Sequence, residues 1–544
     1  MYQIRLQYLR FYSTQLGIRV YFAMVISLIA IILDAVGISV FVPVLASIIS
    51  NEDVIQLPTI LLFWDKESFD LPFNTNTNLF AIYLVLIVFS LKASVQFLYG
   101  AYIAILRSNL SSKLRIDYVT QYSITSYSHT KKLNSGYLVG LLGEQIFKIS
   151  NSVVFYLQFC ATGLAVLLYI VIGAFISPNV GIYLCLSGLF MLVIYRHLNQ
   201  KIAKTSQLFT LNSNKFASRV LQLTRNIKYL ISTSSTKTYQ DLASNSANTA
   251  AKNDRKIGLL AAFSISIKEP LIIIIVTIII YFEAIKFGNG GSEVLLSVVF
   301  FYRGFNAAMS SQNFYQRFLE CTGSIDEYLV SANALNTNTE SQSGKQIEEL
   351  SNKIEFNNVS VLSGGNKILD EINLTIECKK TFGIIGESGS GKSTLLNVLT
   401  FTQLIDCGSL LIDGTNSKLI DLHSWRNQIG LVPQEPVIFD GTIKDNILMS
   451  PDQKTVNPID YERLLYVCKL TELTQVINKT KLGLDYIVGE SGVNLSGGQR
   501  QRLNIARELY REKEILILDE PTSALDSESE KIIIKIINEL KGLK

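Results

Sequence analysis

The chain has 544 residues, more than a single domain ordinarily holds. Hydrophobic residues make up 48% and charged residues 17%, against a usual ~25% charged. The net charge of +4 comes with no basic run or aromatic-interleaved patch, which excludes a nucleic-acid-binding surface of the usual kind. The six cysteines (Cys160, Cys185, Cys321, Cys378, Cys407 and Cys468) form no CxxC pair, which excludes a zinc ribbon and a disulfide framework.

The charge deficit is uneven. From Ile149 to Tyr195 there is no Asp, Glu, Lys or Arg, whereas the residues beyond 352 have ordinary soluble composition. Six apolar segments follow one another at roughly 20–48, 78–106, 149–177, 180–196, 258–284 and 293–316, each near the ~20 residues that cross a bilayer as a helix. Arg5, Arg10 and Arg19 precede the first, and "VLA" at 44–46 resembles a cleavage site, but the stretch is too long for a signal peptide's apolar region. Pro178-Asn179 splits the third from the fourth and predicts a tight helical hairpin.

Loop charge predicts the orientation. Segment 51–77 carries one basic residue, Lys66, against five acidic ones, while 107–148 carries six Lys and Arg and 196–256 carries eleven. Basic loops stay in the cytosol, so both ends of this half are expected there, with the spans running on into the basic segments and 285–292 outside. Segment 51–77 also holds a short amphipathic stretch with Trp64, suited to an interfacial helix. The stretch "SANALNTNTESQSGKQIEEL" at 331–350 reads as a linker.

Beyond it, "TFGIIG" at 381–386 predicts a short apolar strand and "KSTLLNVLT" at 392–400 a helix. Gly386, Gly391, Lys392 and Ser393 stand between and across them in the spacing G-x-x-x-x-G-K-S. Glycines let backbone N–H groups turn onto phosphates, the helix N-terminus adds its positive end, Lys392 adds a point charge and the Ser393 hydroxyl is a ligand for Mg²⁺. "EILILDEP" at 514–521 predicts a buried parallel strand that delivers Asp519 and Glu520 to its C-terminal end. Asp519 would hold Mg²⁺ and Glu520 would polarise an attacking water.

With "LSGGQRQR" at 495–502 the pattern becomes specific. "GESGSGKST", "LVPQEPVIFDGTI", "VGESGVNLSGGQRQR" and "LILDEPTSALD" occur in the order and spacing of the ATP-binding cassette (ABC) transporters. The chain resembles an exporter half-transporter of that family. The resemblance implies an all-α six-helix transmembrane domain over 1–330, a linker over 331–351, and an α/β P-loop nucleotide-binding domain over 352–544. It implies ATP and Mg²⁺ as cofactors. The nucleotide would lie on Gly386, Glu387, Ser388, Gly389, Ser390, Gly391, Lys392, Ser393 and Thr394. Gln434, the Q-loop glutamine, would bridge Mg²⁺ and the membrane half, and Glu520 would be catalytic. Ser496, Gly497, Gly498 and Gln499 would contact the γ-phosphate bound by a partner chain. Asp526 would belong to the D-loop, and Glu490 would face the coupling elements, expected near 126–140 and 224–238. One chain has one phosphate loop and one signature, so a working site implies a homodimer or a paralogous half-transporter as partner.

Two departures stand out. The family's adenine-stacking aromatic is replaced by Ser363, with Leu362 available for apolar contact. The family's switch histidine follows the Walker B glutamate on a further strand, but His129, His197 and His423 all lie upstream of the signature and the chain ends 24 residues after Glu520 (544 − 520). This reads as an incomplete gene product, a genuinely short cassette being the alternative. The expected consequences are Mg-ATP binding with poor hydrolysis and an unpaired sheet edge.

Asp34, Lys92, Lys268, Glu269 and Arg303 fall inside the apolar segments. A basic residue at mid-bilayer costs about 2.5–3.5 kcal/mol on insertion scales, so these charges should face a cavity or each other. Asp34 paired with Lys92 would serve merely to position helices; Lys92 and Arg303 are the substrate candidates. "ISVFVPVL", the mid-span Lys92 and "YRGFNAAMSS" look like the bacterial flippases of lipid-linked oligosaccharides. That resemblance implies ATP-driven export of a lipid or lipid-linked oligosaccharide across the bacterial cytoplasmic membrane, with membrane lipids and no nucleic acid as partners. The N-terminus and cassette would be cytosolic. Export of peptides or small amphiphiles is the alternative, and a non-hydrolysing membrane adaptor a third reading.

Overall fold

In the computed structural model the described residues are 2–50, 54–56, 70–72, 75–176, 178–282, 291–340, 343–363, 365–449, 458–479, 481–489, 492–522 and 527–540. They form two compact units, Met1–Ile124 with Lys131–Thr337, and Thr125–Thr130 with Asn338–Lys544.

The first unit is helical. It begins with α1 (Tyr2–Leu16), which the apolar-segment reading passed over because its composition is polar. Its buried residues Tyr8, Phe11, Tyr12 and Leu16 nevertheless recur at helical spacing. The next helix is α2 (Arg19–Ser50), followed by an antiparallel pair of strands, β1 (Val54–Gln56) and β2 (Asp70–Pro72). The expected interfacial stretch around Trp64 and the 285–292 turn fall largely outside the described residues. After α3 (Thr75–Ser123) come the short α4 (Tyr127–Thr130), which belongs to the second unit, then α5 (Ser135–Gly140), a π-helical turn at Leu141–Gln145, and α6 (Ile146–Ile176). Then follow α7 (Pro178–Arg225), α8 (Ile227–Ser232), α9 (Thr236–Ser266), α10 (Lys268–Ile280) and α11 (Gly291–Thr337).

All six expected spans fall in long helices, and the hairpin opens at Pro178. Among the described residues four helices are long and apolar enough to cross a bilayer, and a fifth if the two halves of α7 are one span. The sixth expected span lies in α11, whose first turns have side chains outside the described set. The fifth lies in the stretch Thr236–Ile280, whose helix is interrupted at the single residue Ile267 between α9 and α10. Pro270 explains the break, because it has no N–H to donate to the carbonyl of Ser266 and its ring crowds that carbonyl. Lys268 and Glu269 begin α10 and lie within that candidate span.

Polar and aromatic groups knit the segments beyond the apolar ones. The Tyr118 and Ser331 hydroxyls meet at 2.7 Å. Buried Gln145 donates to Asn214 at 3.3 Å and accepts from Ser324 at 2.6 Å. Tyr8, Tyr12, Tyr156, Tyr315 and Phe318 fill one core with α3 residues Leu106, Leu110 and Leu114.

The second unit is α/β. Its expected linker is shorter than the composition indicated: α11 runs to Thr337, and Glu340 accepts from Arg426 Nη2 at 2.9 Å, so the Asn/Ser/Thr-rich stretch is partly helical and partly docked. Strands β3 (Lys353–Ser363), β4 (Asn366–Glu377), β5 (Cys407–Ile412) and β6 (Thr415–Asn416) make an antiparallel sheet in the order β4-β3-β5-β6. Between β4 and β5 stands α12 (Lys392–Leu399); α13 (Leu422–Asn427) leads into β7 (Ile429–Val432). The helices α14 (Ile443–Leu448), α15 (Pro458–Leu470), α16 (Thr474–Lys479) and α17 (Gly497–Tyr510) precede β8 (Ile515–Leu518), and α18 (Ser527–Leu540) follows. Strands β7 and β8 pair in parallel, as the apolar run before Asp519 predicts.

One core joins the sheet, α12 and the parallel pair through Phe356, Leu369, Val398, Leu399, Trp425 and Ile517. Trp425 is fully buried, donates to the Leu399 carbonyl at 2.8 Å and stacks on Phe401. A second core, around Leu464, Cys468, Val488 and Leu503, is made by the helices. Burial in it pushes the Cys468 thiol up to about 12, so this cysteine is an inert core residue. The expected strand at 381–386 forms no ladder among the described residues, and Ile385 is 98% exposed. Apolar sequence supplies a face but no hydrogen-bonding partner, and without one the backbone does not register as a strand.

Candidate functional site

The phosphate loop is built by its glycines. Gly391 is the N-cap of α12 at φ 94°, and Gly389 has φ 84°. An L side chain rarely adopts that conformation, and a Cβ at Gly391 would lie 2.8 Å from Leu369 Cδ2 and 3.0 Å from the Ile368 carbonyl. The loop thus turns hard against β4. Having no side chain, Gly391 makes no cap hydrogen bond, so the first N–H groups of α12, at Lys392, Ser393 and Thr394, lack intrahelical partners and are left for an anion. Lys392 Nζ meanwhile donates to the carbonyls of Gly386 at 2.8 Å and Glu387 at 2.9 Å, which holds the ammonium over the loop.

The parallel pair sets the second part of the site. Val432 of β7 stands opposite Leu518 of β8, and Asp519 N donates to the Val432 carbonyl at 3.0 Å. Gln434 and Glu520, each two residues further on, therefore emerge at the same end, and Gln434 Nε2 donates to Glu520 Oε2 at 2.9 Å. Glu520 has φ 45°, a left-handed conformation that costs a non-glycine residue roughly 1–2 kcal/mol and often marks a functional turn.

The third part is the N-terminus of α17. Ser496 is its N-cap in a complete capping box: Gln499 N donates to Ser496 Oγ at 3.3 Å, and Ser496 N donates to Gln499 Oε1 at 2.9 Å. Gly497 and Gly498 occupy the first helical turn without side chains. Among the described residues no hydrogen bond joins 386–394 to 496–499. Asp526 and Glu490 lie outside the described residues, as does the Ser363 side chain; Leu362 and Ile368 are both exposed on the β3–β4 hairpin beside the loop.

Mg²⁺ suits this donor set. A magnesium ion takes one or two protein oxygens plus nucleotide phosphates and water, and the exposed Ser393 hydroxyl, Asp519, and Gln434 Oε1, left over when its nitrogen serves Glu520, are oxygen donors of that kind.

Sequence reasoning missed what holds the segment after Gln434. Arg507 of α17, 5% exposed, donates to the carbonyls of Asn446 at 2.7 Å and Val437 at 2.8 Å, to Asn446 Oδ1 at 2.9 Å and to Asn504 Oδ1 at 3.0 Å. Its guanidinium lies 5.0 Å from the Phe439 ring centroid. Asn446 in turn brackets Phe439, accepting from its N–H at 2.9 Å and donating to its carbonyl at 2.8 Å. The signature helix thereby anchors residues 437–446. No local pattern announces a tie between residues 61 apart.

The helical unit brings together three of the five charges found in the apolar segments. Lys92 of α3 pairs with Asp34 Oδ1 of α2, and Arg303 Nη1 of α11 stands 3.8 Å from Asp34 Oδ2. The Tyr169 hydroxyl of α6, which sequence reasoning also missed, donates to Asp34 Oδ2.

Comparison with known proteins agrees with this geometry. Residues 369–523 match the protein-family model "ABC transporter". P-glycoprotein 14 of Caenorhabditis elegans is 35% identical over 236 residues, 43% of this chain and 16% of that protein. The alpha-hemolysin translocation ATP-binding protein HlyB of Escherichia coli O157:H7 is 46% identical over 205 residues, 37% of this chain and 28% of that protein. The ATP-dependent lipid A-core flippase of Escherichia coli (strain K12) is 41% identical over 210 residues, 38% of this chain and 35% of that protein. The matches thus span about a third or less of these relatives' lengths. A bacterial Atm1-family ABC exporter with ATP bound superposes with a TM-score of 0.77 at 19% identity, covering 97% of this chain and 90% of that one. By sequence the nucleotide-binding unit is similar to the ABC transporters over residues 369–523, and by fold almost the whole chain is similar to an ABC exporter.

Proposed function

We propose that two copies of this chain form an ATP-driven exporter that moves an anionic lipid or lipid-linked oligosaccharide out of the cytosolic leaflet of the bacterial cytoplasmic membrane. The observation that carries the reading is the pairing of a phosphate loop and a Gln434–Glu520 catalytic pair with a positively charged cluster, Asp34–Lys92–Arg303, inside apolar helices. The lipid A-core flippase among its relatives supports a lipid substrate.

The roles follow from the chemistry of the side chains. The loop amides and Lys392 hold the β- and γ-phosphates. Ser393 and Asp519 hold Mg²⁺, which when bound neutralises charge on the transferring phosphoryl group. Glu520 orients and polarises the attacking water, and Gln434 holds the Glu520 carboxylate in place. Ser496, Gly497, Gly498 and Gln499 serve the phosphate bound by the other copy, because one chain carries one loop and one signature. Exposed Leu362 and Ile368 offer an aliphatic face to adenine in place of an aromatic ring. Closure of the two cassettes on ATP moves the helices through 126–140 and 224–238, and the charged cluster receives the phosphate of the cargo. With basic segments 107–148 and 196–256 in the cytosol, the N-terminus and the cassette lie on that side.

The test is ATPase activity of the full chain in proteoliposomes. A polyprenyl pyrophosphate or an anionic glycolipid should stimulate turnover several-fold over phosphatidylcholine alone. Stimulation by hydrophobic peptides, with none by lipids, would move the assignment to peptide export.

A further inference from the structure

The cluster around Asp34 balances charges from three helices, α2, α3 and α11, with the Tyr169 hydroxyl of α6 beside them. Two glycines allow it. A Cβ at Gly37, one turn beyond Asp34 on α2, would lie 3.0 Å from the ring of Phe89, so the bare backbone lets α3 approach; Lys92, one turn beyond Phe89, then reaches Asp34. A Cβ at Gly304 would lie 2.9 Å from Leu184 and 3.3 Å from Tyr169 Cβ, so α11 also packs closely and Arg303 arrives beside the same carboxylate. The surroundings are apolar: Tyr169 and Phe300 share a buried cluster with Ala165, packed by Ile31 and Ile172.

The charges do not cancel. One carboxylate (−1) faces two cations (+2), leaving +1 in a stretch of helix read as membrane-spanning. Both carboxylate oxygens have a close partner, Lys92 on Oδ1 and the Tyr169 hydroxyl on Oδ2. Among the described residues Arg303 makes no hydrogen bond to the cluster. At 3.8 Å it is beyond hydrogen-bond distance from Asp34, and its side chain is 43% exposed against 14% for Asp34 and 22% for Lys92. A guanidinium has five N–H donors in a fork that matches two oxygens of a phosphate.

Resting on the exporter reading above, we infer that Asp34 is an internal stand-in for the cargo's phosphate. It neutralises half of the cationic pair while the site is empty, and the headgroup competes with it for Arg303 and Lys92. An anion with at least two acceptor oxygens takes the fork of Arg303 first and then shares Lys92. A zwitterionic headgroup, whose own cation repels the pair, gains nothing. Tyr169 is a positioning residue, holding the carboxylate back from Arg303.

The test uses the full chain in phosphatidylcholine nanodiscs, titrated with a polyprenyl pyrophosphate and, separately, with phosphatidic acid. The readouts are the half-saturating concentration for ATPase stimulation and direct lipid binding by native mass spectrometry. The charge at the node is +1 in the native chain, +2 in Asp34→Asn, 0 in Lys92→Ala and +1 in the Asp34→Asn/Lys92→Ala double variant. The half-saturating concentration should fall about tenfold in Asp34→Asn, within what one unit charge at contact distance gives at intermediate dielectric, rise in Lys92→Ala and return near the native value in the double variant. Tyr169→Phe, which keeps all three charges and lets Asp34 close on Arg303, should raise the half-saturating concentration, and a fall there would overturn the inference if Asp34→Asn fails to fold. If binding of phosphatidic acid follows the charge order and the pyrophosphate lipid fails to stimulate any variant, the node stands and the proposed cargo falls. If every single variant loses affinity for both lipids and the double variant loses more, Asp34 is a pin between helices and the inference is overturned.

Discussion

Replacing Arg507 by Met tests whether the signature helix anchors the segment that follows Gln434. The substitution keeps an apolar stem of similar length and removes every donor. The buried Asn446 carbonyl, the part-buried Val437 carbonyl and Asn504 Oδ1 then lose the guanidinium, while Asn446 Oδ1 keeps the Phe439 N–H. Leaving a buried acceptor unsatisfied costs about 1–3 kcal/mol; Asn446 and Asn504 bear that in full and water recovers most of the Val437 share, so the loss is about 2–6 kcal/mol. Part of this is returned, because burial lowers the Arg507 pKa and the charged group was held there at a desolvation cost. The net expectation is a loss of about 2–4 kcal/mol. For a unit of this size, at about 2–4 °C per kcal/mol, the melting transition of the nucleotide-binding unit should fall by about 4–16 °C. Calorimetry of the detergent-solubilised full chain reads that transition. Arg507→Lys should recover little, since one ammonium cannot reach four acceptors in a fixed fork. A transition within about 1 °C of the native value for Arg507→Met would refute the argument, since a real loss of anchoring cannot fall below the few-degree scale of a single kcal/mol.

Two further outcomes are expected from the same geometry. Lys392→Ala should abolish binding of a fluorescent ATP analogue, since its ammonium is the point charge held over the loop by the Gly386 and Glu387 carbonyls; retention of native affinity would remove Lys392 from the site. Lys392→Ala and Ser496→Arg chains, each inactive alone, should regain up to half the native ATPase rate per mixed dimer when co-reconstituted, because the intact loop of one and the intact signature of the other make one whole site. A mixture as inactive as its components would argue against composite sites.

Much of this molecule was readable before its structure, for identifiable reasons. The long helices declare themselves because eighteen or more apolar residues have few other uses, yet their ends do not, since α3, α7 and α11 continue as polar helix beyond the apolar stretch. Helix α1 is legible only through the spacing of Tyr8, Phe11, Tyr12 and Leu16, and the α9–α10 break only through Pro270. The phosphate loop and the carboxylates after β8 are contiguous in sequence, so their placement can be read from the motifs alone. The 381–386 segment shows the limit of that method: composition proposed a strand, but pairing is a property of neighbours. The same limit applies to Tyr169 and Arg507. A tyrosine in an apolar helix and an arginine among "QRQRLNIAR" look ordinary until the fold brings Asp34 to one and Asn446 to the other. The Asp34–Lys92 pair was legible as the purely structural alternative to a substrate role for Lys92, because unpaired charge in an apolar segment is costly enough to demand a partner.

The central claim, that this chain drives transport with ATP hydrolysed at Glu520, is tested most directly by Glu520→Gln in proteoliposomes, with Mg-ATP binding and phosphate release measured on the same preparation. Gln is isosteric and keeps an oxygen to accept from Gln434 Nε2, but it cannot polarise water as a carboxylate does. The account predicts native ATP binding with turnover reduced by about 10²–10³, the effect typical of removing one charge-placing group from a transition state. Native turnover in the Gln variant would contradict it.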